Sequence, residues 1–203
     1  MKLSHALKQL NELKRLGGQM RLAAESWNSD WKCLIATIMS AQSRDETTIP
    51  VAENLFKRYS TLDKLANAKY EDVLFVFKRL NYNKTKAKNV TACARELISK
   101  YNGVVPCEID KLIELSGVGR KTANVFLSEN GKDGLAVDTH VNYISKYLHW
   151  SNGKNPYKVE KDLKKLFPKK YWSVVNPVLV RFGKKYTSRK KKNELLEMIS
   201  KLR

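Results

Sequence analysis

Residues 112–126, which read LIELSGVGRKTANVF, carry most of the structural information in this chain. An apolar helical pattern ends at Leu115, a short turn with two glycines follows, and a second helix is predicted to begin near Arg120. Glycines permit a sharp turn that exposes backbone amides, and amides at the positive end of a helix suit a DNA phosphate. The whole string therefore predicts a helix–hairpin–helix, although a Gly-x-Gly alone would fit an ordinary helical corner better.

A second informative string, AVDTH, occupies residues 136–140. Asp138 directly precedes an amphipathic helical pattern, and aspartate is a preferred residue at the N-cap of a helix. A carboxylate in this position can cap the helix and also face a cleft. Both roles remain open on these residues alone.

The remaining sequence is helical in pattern almost throughout, and the predicted fold class is all-α. Residues 31–40 are apolar on nearly every side and fit either a buried helix or a strand. No neighbouring strand-like run is available to pair with them, so we predict a core helix. The other predicted helices cover residues 3–16, 47–59, 70–80, 85–101, 108–115, 121–130, 139–149, 156–167, 170–186 and 193–202.

The composition favours a polyanionic partner. The chain has 203 residues and a net charge of +19, from 39 Lys and Arg against 20 Asp and Glu, and such a surface attracts nucleic acid. A lysine-rich proteome would produce the same excess. No apolar run approaches the ~20 residues of a membrane helix, so we expect a cytoplasmic, nucleoid-associated protein. We also expect it to act as a monomer.

The three cysteines, Cys33, Cys93 and Cys107, are widely spaced in mainly apolar surroundings. No CxxC pair occurs, so a zinc site is not expected. Buried free thiols are the favoured interpretation for all three.

Together these strings resemble the HhH-GPD superfamily, and within it the endonuclease III group. The similarity also covers LIATIMSAQSRDETT at residues 34–48 and NKTKAKNVTACARELISKYNGVVP at residues 83–106. It extends over about residues 30–150, with weaker agreement to residue 183. The resemblance implies a DNA glycosylase and AP lyase of base excision repair, acting on damaged double-stranded DNA.

The resemblance also assigns roles to individual residues. The nucleophilic lysine of the family falls on Lys121 and its carboxylate partner on Asp138. The glutamine that fills the space left by an extruded base falls on Gln42, and the wedge residue falls on Tyr82, where an aliphatic side chain is more usual. The expected DNA contacts around the hairpin are Gly117, Val118, Gly119, Arg120 and Thr122.

The C-terminal tail departs from the family. Most endonuclease III relatives end in a four-cysteine loop that binds a [4Fe–4S] cluster, whereas the tail here has no cysteine, so we expect no cluster and no metal. Residues 184–192 hold six Lys or Arg in nine positions. This run, including Lys184, Lys185 and Lys190, could contact DNA phosphates, or it could be a solvated basic segment.

The expected architecture is two helical lobes with a DNA-binding cleft between them. One lobe would comprise residues 22–132 and end in the hairpin, and the other would join residues 1–21 to residues 133–203. The function expected is removal of oxidised pyrimidines followed by strand cleavage through a lysine Schiff base. Two alternatives remain: a glycosylase for uracil or thymine in mismatches, and a non-catalytic DNA-binding module.

Overall fold

The computed structural model describes residues 2–202. Within that range the regular elements are α-helices and a 3₁₀ helix, and there is no β-strand. This confirms the all-α prediction. No helix in the described range is long and apolar enough to cross a membrane. The helices are α1 (Leu3–Gly17), α2 (Asp30–Ser40), α3 (Asp45–Arg58), α4 (Leu62–Ala66), α5 (Tyr70–Phe77), α6 (Asn83–Tyr101), α7 (Ile109–Ile113), α8 (Arg120–Glu129), α9 (Thr139–Tyr147), α10 (Pro156–Leu166), α11 (Trp172–Lys185) and α12 (Arg189–Ser200).

The chain divides into two compact units. The central unit holds Arg21–Asn130, and the terminal unit joins the residues up to Met20 to those from Gly131 onward. Each unit has its own cluster of buried apolar side chains. Each can therefore be described by itself.

The core of the central unit is built around α2. The side chains of Leu34, Ile35 and Met39 are fully buried, because α2 packs against α3, α6 and α8. A helix surrounded on several sides has little room for polar residues, which explains its lack of a clear apolar face. The prediction of a core helix at residues 31–40 is confirmed.

The terminal unit is organised around the packing of α1 on α11. A Cβ atom at Gly17 would lie 2.9 Å from the backbone nitrogen of Phe182, so glycine permits the close approach of the two helices. Buried Gln9 of α1 then joins two other parts of this unit. Its amide oxygen accepts a hydrogen bond from the Trp150 indole at 2.6 Å, and its amide nitrogen donates to the Ile199 carbonyl at 3.4 Å.

The C-terminal helix α12 is part of the same core. Leu196 and Ile199 are fully buried, the Tyr143 hydroxyl hydrogen-bonds the Asn193 side chain, and the Tyr147 hydroxyl donates to the Asn193 carbonyl at 3.3 Å. The predicted docking of residues 193–202 as an amphipathic helix is confirmed. The helix nevertheless starts earlier, at Arg189, so the second half of the basic run is helical.

Two sequence-based expectations differ from the structure. Cys107 is exposed, which corrects the prediction that all three thiols are buried; Cys33 and Cys93 are buried as expected. Cys107 follows the helix α6 and precedes α7 in a connecting segment, where an apolar neighbourhood in sequence does not ensure burial. The short helix α4 had not been predicted, because five residues are too few to show helical periodicity.

Candidate active site

The turn between α7 and α8 is anchored by a carboxylate from another helix. The Ser116 backbone N–H donates to one Glu96 oxygen at 2.7 Å, and the Ser116 hydroxyl donates to the other at 2.8 Å. Leu115 and Val118, on either side of the glycine, are buried. The turn is therefore attached to α6 by two hydrogen bonds and to the core by two apolar side chains.

The two glycines of the turn meet different physical requirements. Gly117 has φ +80°, and a Cβ atom there would lie 2.9 Å from Asn89 Cβ and 3.1 Å from Ile38 Cγ2. Both its backbone conformation and its packing therefore require glycine. Gly119 has an ordinary φ of −88°, and a Cβ atom there would meet nothing within 4 Å. The protein itself leaves the space beside Gly119 open.

Several backbone amides at this turn are available to an incoming group. Among residues 2–202, the N–H groups of Gly117 and Gly119 have no hydrogen-bond acceptor. The Val118 N–H already donates to the Leu115 carbonyl at 3.0 Å. Val118 thus holds the turn together, while the glycine amides are free to bind an anion.

Lys121 lies in the first turn of α8, directly after the hairpin. The opposite face of the helix is anchored by buried Ala123, Phe126 and Leu127, whereas the Lys121 side chain is exposed. Within the described part of the chain its amine makes no hydrogen bond and no ion pair. Thr122, its neighbour, is buried with 8% exposure. Lys121 is therefore a free amine on a rigid support.

Asp138 is the N-cap residue of α9, as predicted. One of its oxygens accepts a hydrogen bond from the Val141 N–H at 2.8 Å. The segment before Asp138 is fixed by buried Leu135 and by the Ala136 carbonyl, which accepts from Asn176 at 3.0 Å. The second Asp138 oxygen has no partner among residues 2–202 and is available to another group.

Gln42 and Tyr82 share an unusual backbone conformation. Gln42 follows α2 and has φ +53°, and Tyr82 precedes α6 and has φ +55°. Left-handed backbone costs a residue with a side chain on the order of 1 kcal/mol. Both side chains are nevertheless exposed, Tyr82 by 65%. This strain, together with the exposure, is typical of residues placed for contact with a ligand.

Sequence reasoning missed Lys86, whose ammonium hydrogen-bonds Ser43, the residue after Gln42. Lys86 is only 5% exposed, and its ammonium donates to the Ser43 hydroxyl at 2.8 Å. Burial lowers the pKa of Lys86 to about 8. A signal was available, because a lysine at residue 86 falls on the same helical face as buried Val90, Cys93 and Leu97.

The predicted C-terminal contacts lie on two helices of the terminal unit. Lys184 and Lys185 are in the last turn of α11, where the Lys185 ammonium donates to the Leu16 carbonyl at 2.8 Å. Lys190 is exposed in the first turn of α12 and has no partner in the described range. Ser188 caps that helix by accepting from the Lys191 N–H.

The site residues thus fall into two groups. Lys121, the hairpin, Gln42 and Tyr82 belong to the central unit, and Asp138 and the C-terminal lysines belong to the terminal unit. Residues 35–169 match the HhH-GPD superfamily of base excision DNA repair proteins.

The chain belongs to this superfamily. It is 40% identical over 156 residues to the endonuclease III of Thermotoga maritima, covering 76% of this chain and 73% of the relative. It is similar to two solved structures at 31% identity, covering 94% of this chain in each case. One is a non-covalent endonuclease III–DNA complex, with a TM-score of 0.84 and 89% of that chain covered. The other is a trapped endonuclease III–DNA covalent intermediate, with a TM-score of 0.83 and 90% covered.

The residues of this superfamily member do not fit an iron–sulfur cluster. A [4Fe–4S] cluster is held by four cysteine thiolates, and the chain has three cysteines. Burial raises the pKa of the Cys33 and Cys93 thiols to about 12, which opposes the thiolate form that a metal requires. In the described range no group of three or more His, Cys, Asp or Glu side chains is placed to hold a metal ion.

The two hairpin glycines form a matched pair for a binding test. Gly117→Ala should lower the melting temperature, because the new Cβ meets Asn89 and Ile38 and the backbone is left-handed. Gly119→Ala should leave the melting temperature unchanged but weaken DNA binding, because its methyl group enters the open space beside the free amides. Thermal unfolding and titration with a DNA duplex measure the two effects. Unchanged DNA affinity of Gly119→Ala would contradict a DNA role for this turn.

Proposed function

We propose that the chain removes oxidised pyrimidines from double-stranded DNA and then cuts the strand 3′ to the abasic site, with Lys121 as the nucleophile and Asp138 as its carboxylate partner. The chain is a base excision repair enzyme with DNA glycosylase and AP lyase activity. The observation that carries the residue assignment is the amine of Lys121 in the helix that follows the hairpin, which is exposed and has no partner in the described part of the chain. A related protein has been trapped in a covalent intermediate with DNA, which supports a nucleophilic side chain.

The chemistry divides one difficult bond cleavage into easier steps. The lone pair of the unprotonated Lys121 amine forms a bond to C1′ of the deoxyribose, and the base departs with the electrons of the glycosidic bond. Ring opening then produces a Schiff base between Lys121 and C1′. Loss of a proton from C2′ allows β-elimination, in which the 3′ phosphate leaves with its bonding electrons. Water finally releases the amine.

Asp138 suits the first of these steps. Departure of the base develops positive charge on the sugar, and a nearby carboxylate stabilises that charge. Its capping bond to Val141 uses one oxygen and holds the side chain in a fixed orientation. The second oxygen is then free to act on the sugar. The meeting of Asp138 and Lys121 at one nucleotide is part of the proposal.

The other residues of the central unit would hold and open the duplex. The free amides of Gly117 and Gly119 would bind a backbone phosphate, supported by Arg120 and the positive end of α8. A base that reacts must leave the stack, at a cost of a few kcal/mol. The Gln42 amide can donate and accept hydrogen bonds in the vacated space, and the Tyr82 ring can stack on a neighbouring base.

Two other functions fit less well. A mismatch glycosylase for uracil or thymine needs no lysine nucleophile, so Lys121 favours the lyase. A non-catalytic DNA-binding module would need the hairpin but neither Lys121 nor a free Asp138 oxygen. Both groups are present, and among residues 2–202 neither the Lys121 amine nor the second Asp138 oxygen has a hydrogen-bond partner.

The enzyme would work without an iron–sulfur cluster, because its three cysteines cannot supply four ligands. Ser188 and α12 would take the position of the cluster loop in the C-terminal sequence. Apolar packing of Leu196 and Ile199 would replace the stabilising role of the cluster. Lys184, Lys185 and Lys190 would replace its basic surface for phosphates.

Covalent trapping tests the nucleophile. The wild-type protein should form a borohydride-stable adduct with a duplex that carries thymine glycol, and the adduct should be absent in Lys121→Ala. Lys88→Ala, which removes an exposed lysine elsewhere, should retain it. A lysine nucleophile elsewhere is indicated if Lys121→Ala still forms the adduct. Faster reaction with G·U or G·T mismatches than with thymine glycol would favour the mismatch enzyme.

Asp138→Asn separates the charge of the side chain from its capping bond. Asparagine caps helices as well as aspartate does, so the melting temperature should be preserved. Base removal under single-turnover conditions should fall by about 10²-fold or more, because the developing charge on the sugar loses its stabilising carboxylate. Affinity for the duplex should change little. Unchanged base removal would assign Asp138 to capping alone.

The salt dependence of binding tests the C-terminal lysines. Lys190→Gln should reduce the slope of log K against log salt concentration by about 0.9, the amount expected for one lost phosphate contact. Lys201→Gln removes an exposed lysine that pairs with Glu197 at the other end of α12 and should leave the slope unchanged. Equal slopes for the wild type and both variants would make the basic run a solvated surface.

A further inference from the structure

Lys86 is a buried lysine that forms no ion pair with any residue the structure describes. It is 5% exposed and lies on the apolar face of α6. In the described range its ammonium has a single hydrogen-bond partner, the Ser43 hydroxyl at 2.8 Å, and no carboxylate. A lysine ammonium has three donors, and burial of a charge that is only partly satisfied is costly. The fold alone offers no reason for a lysine at this position.

The hydroxyl that Lys86 binds joins two segments that are 38 residues apart. Ser43 also accepts a hydrogen bond from the Asn81 backbone N–H at 3.2 Å. The Asn81 side-chain amide in turn donates to the Gln42 carbonyl at 2.7 Å. We call these four residues, Gln42, Ser43, Asn81 and Lys86, the tether. The tether fixes the backbone next to Gln42 to the backbone next to Tyr82.

Both residues held by the tether, Gln42 and Tyr82, have left-handed backbone and exposed side chains. Strained backbone persists only where the surroundings determine it. The tether fixes these two backbone conformations, because its hydrogen bonds hold the Gln42 carbonyl and the backbone N–H of Asn81, the residue immediately before Tyr82. Without it, each segment could relax towards an ordinary conformation and redirect its side chain.

We propose that Lys86 is a positioning residue for base extrusion, which acts through Ser43 and Asn81 to hold Gln42 and Tyr82 at the spacing needed to occupy the DNA stack. This inference rests on the proposed function, because it assumes that Gln42 and Tyr82 enter the duplex. Lys86 itself touches neither the sugar nor the base. Its contribution is the geometry of the two side chains that do.

The energetics of burial give this proposal a distinctive signature. Burial lowers the pKa of Lys86 to about 8, so below that pH the folded protein bears the cost of a desolvated ammonium. Methionine has a similar length and no charge, and fits an apolar helical face. Lys86→Met should therefore raise the melting temperature at pH 7 while impairing base extrusion. If Lys86 served stability alone, Lys86→Met would lower the melting temperature.

The test compares two DNA substrates. One is an intact duplex with thymine glycol, from which a base must be extruded and its space filled. The other is a duplex in which the abasic site lies opposite a one-nucleotide gap. In this duplex the opposite strand has no unpaired base that the protein must support. Lys86→Met should slow base removal from the first by roughly tenfold or more, the size expected for the loss of a charge-assisted hydrogen bond. Its borohydride trapping on the second should match that of the wild type.

Two further variants complete the experiment. Ser43→Ala removes the hydrogen-bond acceptor from a partly exposed position and should show the same selective loss of base removal. The Lys86→Met/Ser43→Ala double variant should be no slower than either single variant, because the two residues act as one unit. Lys88→Met, which removes an exposed charge one position beyond Ala87, should be normal on both substrates.

Three results would overturn the proposal: equal loss on both substrates, a lower melting temperature of Lys86→Met with activity in proportion to the folded fraction, or additive effects of the two single variants. Failure of the proposed function looks different. In that case the wild-type protein itself would form no adduct on either DNA.

Discussion

The two hydrogen bonds from Ser116 to the Glu96 carboxylate are the interaction on which the site of the central unit depends. They hold the turn against α6 at the point where Gly117 leaves no room for a side chain. With the turn fixed, the direction of α8 is also fixed, because Val118 and Phe126 are buried on either side of its first residues. The free glycine amides and the Lys121 amine are consequently carried by the same rigid corner. Phosphate binding and nucleophilic attack would then share one support.

Polar groups in the rest of this unit are distributed unevenly. Most of the α2 surface is apolar and buried, and the unusual features gather where α2 ends and α6 begins. Two left-handed residues, a buried lysine and a shared serine hydroxyl all occur there. The left-handed backbone and the buried ammonium each cost stability, and such costs are typical of a functional site. The neighbouring core provides the packing energy that tolerates them.

Hydrogen bonds and apolar packing hold the C-terminal helix α12 on the terminal unit. Gln9 hydrogen-bonds both Trp150 and the end of α12, and Asn193 receives contacts from two tyrosines of α9. These polar contacts orient a helix that Leu196 and Ile199 attach to the core. The start of α12 is electrostatically unfavourable, because its positive dipole end carries three basic residues, Arg189, Lys190 and Lys191. A basic helix start is unfavourable by itself and becomes favourable next to a phosphate.

The amino-acid sequence by itself determined the helical class, the core helix α2, the hairpin turn and an aspartate at residue 138 that suits the N-cap of a helix. Each of these depends on residues close together in the chain, where spacing, glycine conformation and capping chemistry act locally. Only the tertiary structure decided that Cys107 is exposed, that Glu96 holds the turn, and that Ser43, Asn81 and Lys86 form one hydrogen-bonded group. Those features join segments 20 to 43 residues apart, and no local pattern encodes which distant group meets a buried donor. The roles of Lys121 and Asp138 at a common nucleotide stay a prediction, because the two residues belong to different units and lie 17 positions apart in the chain.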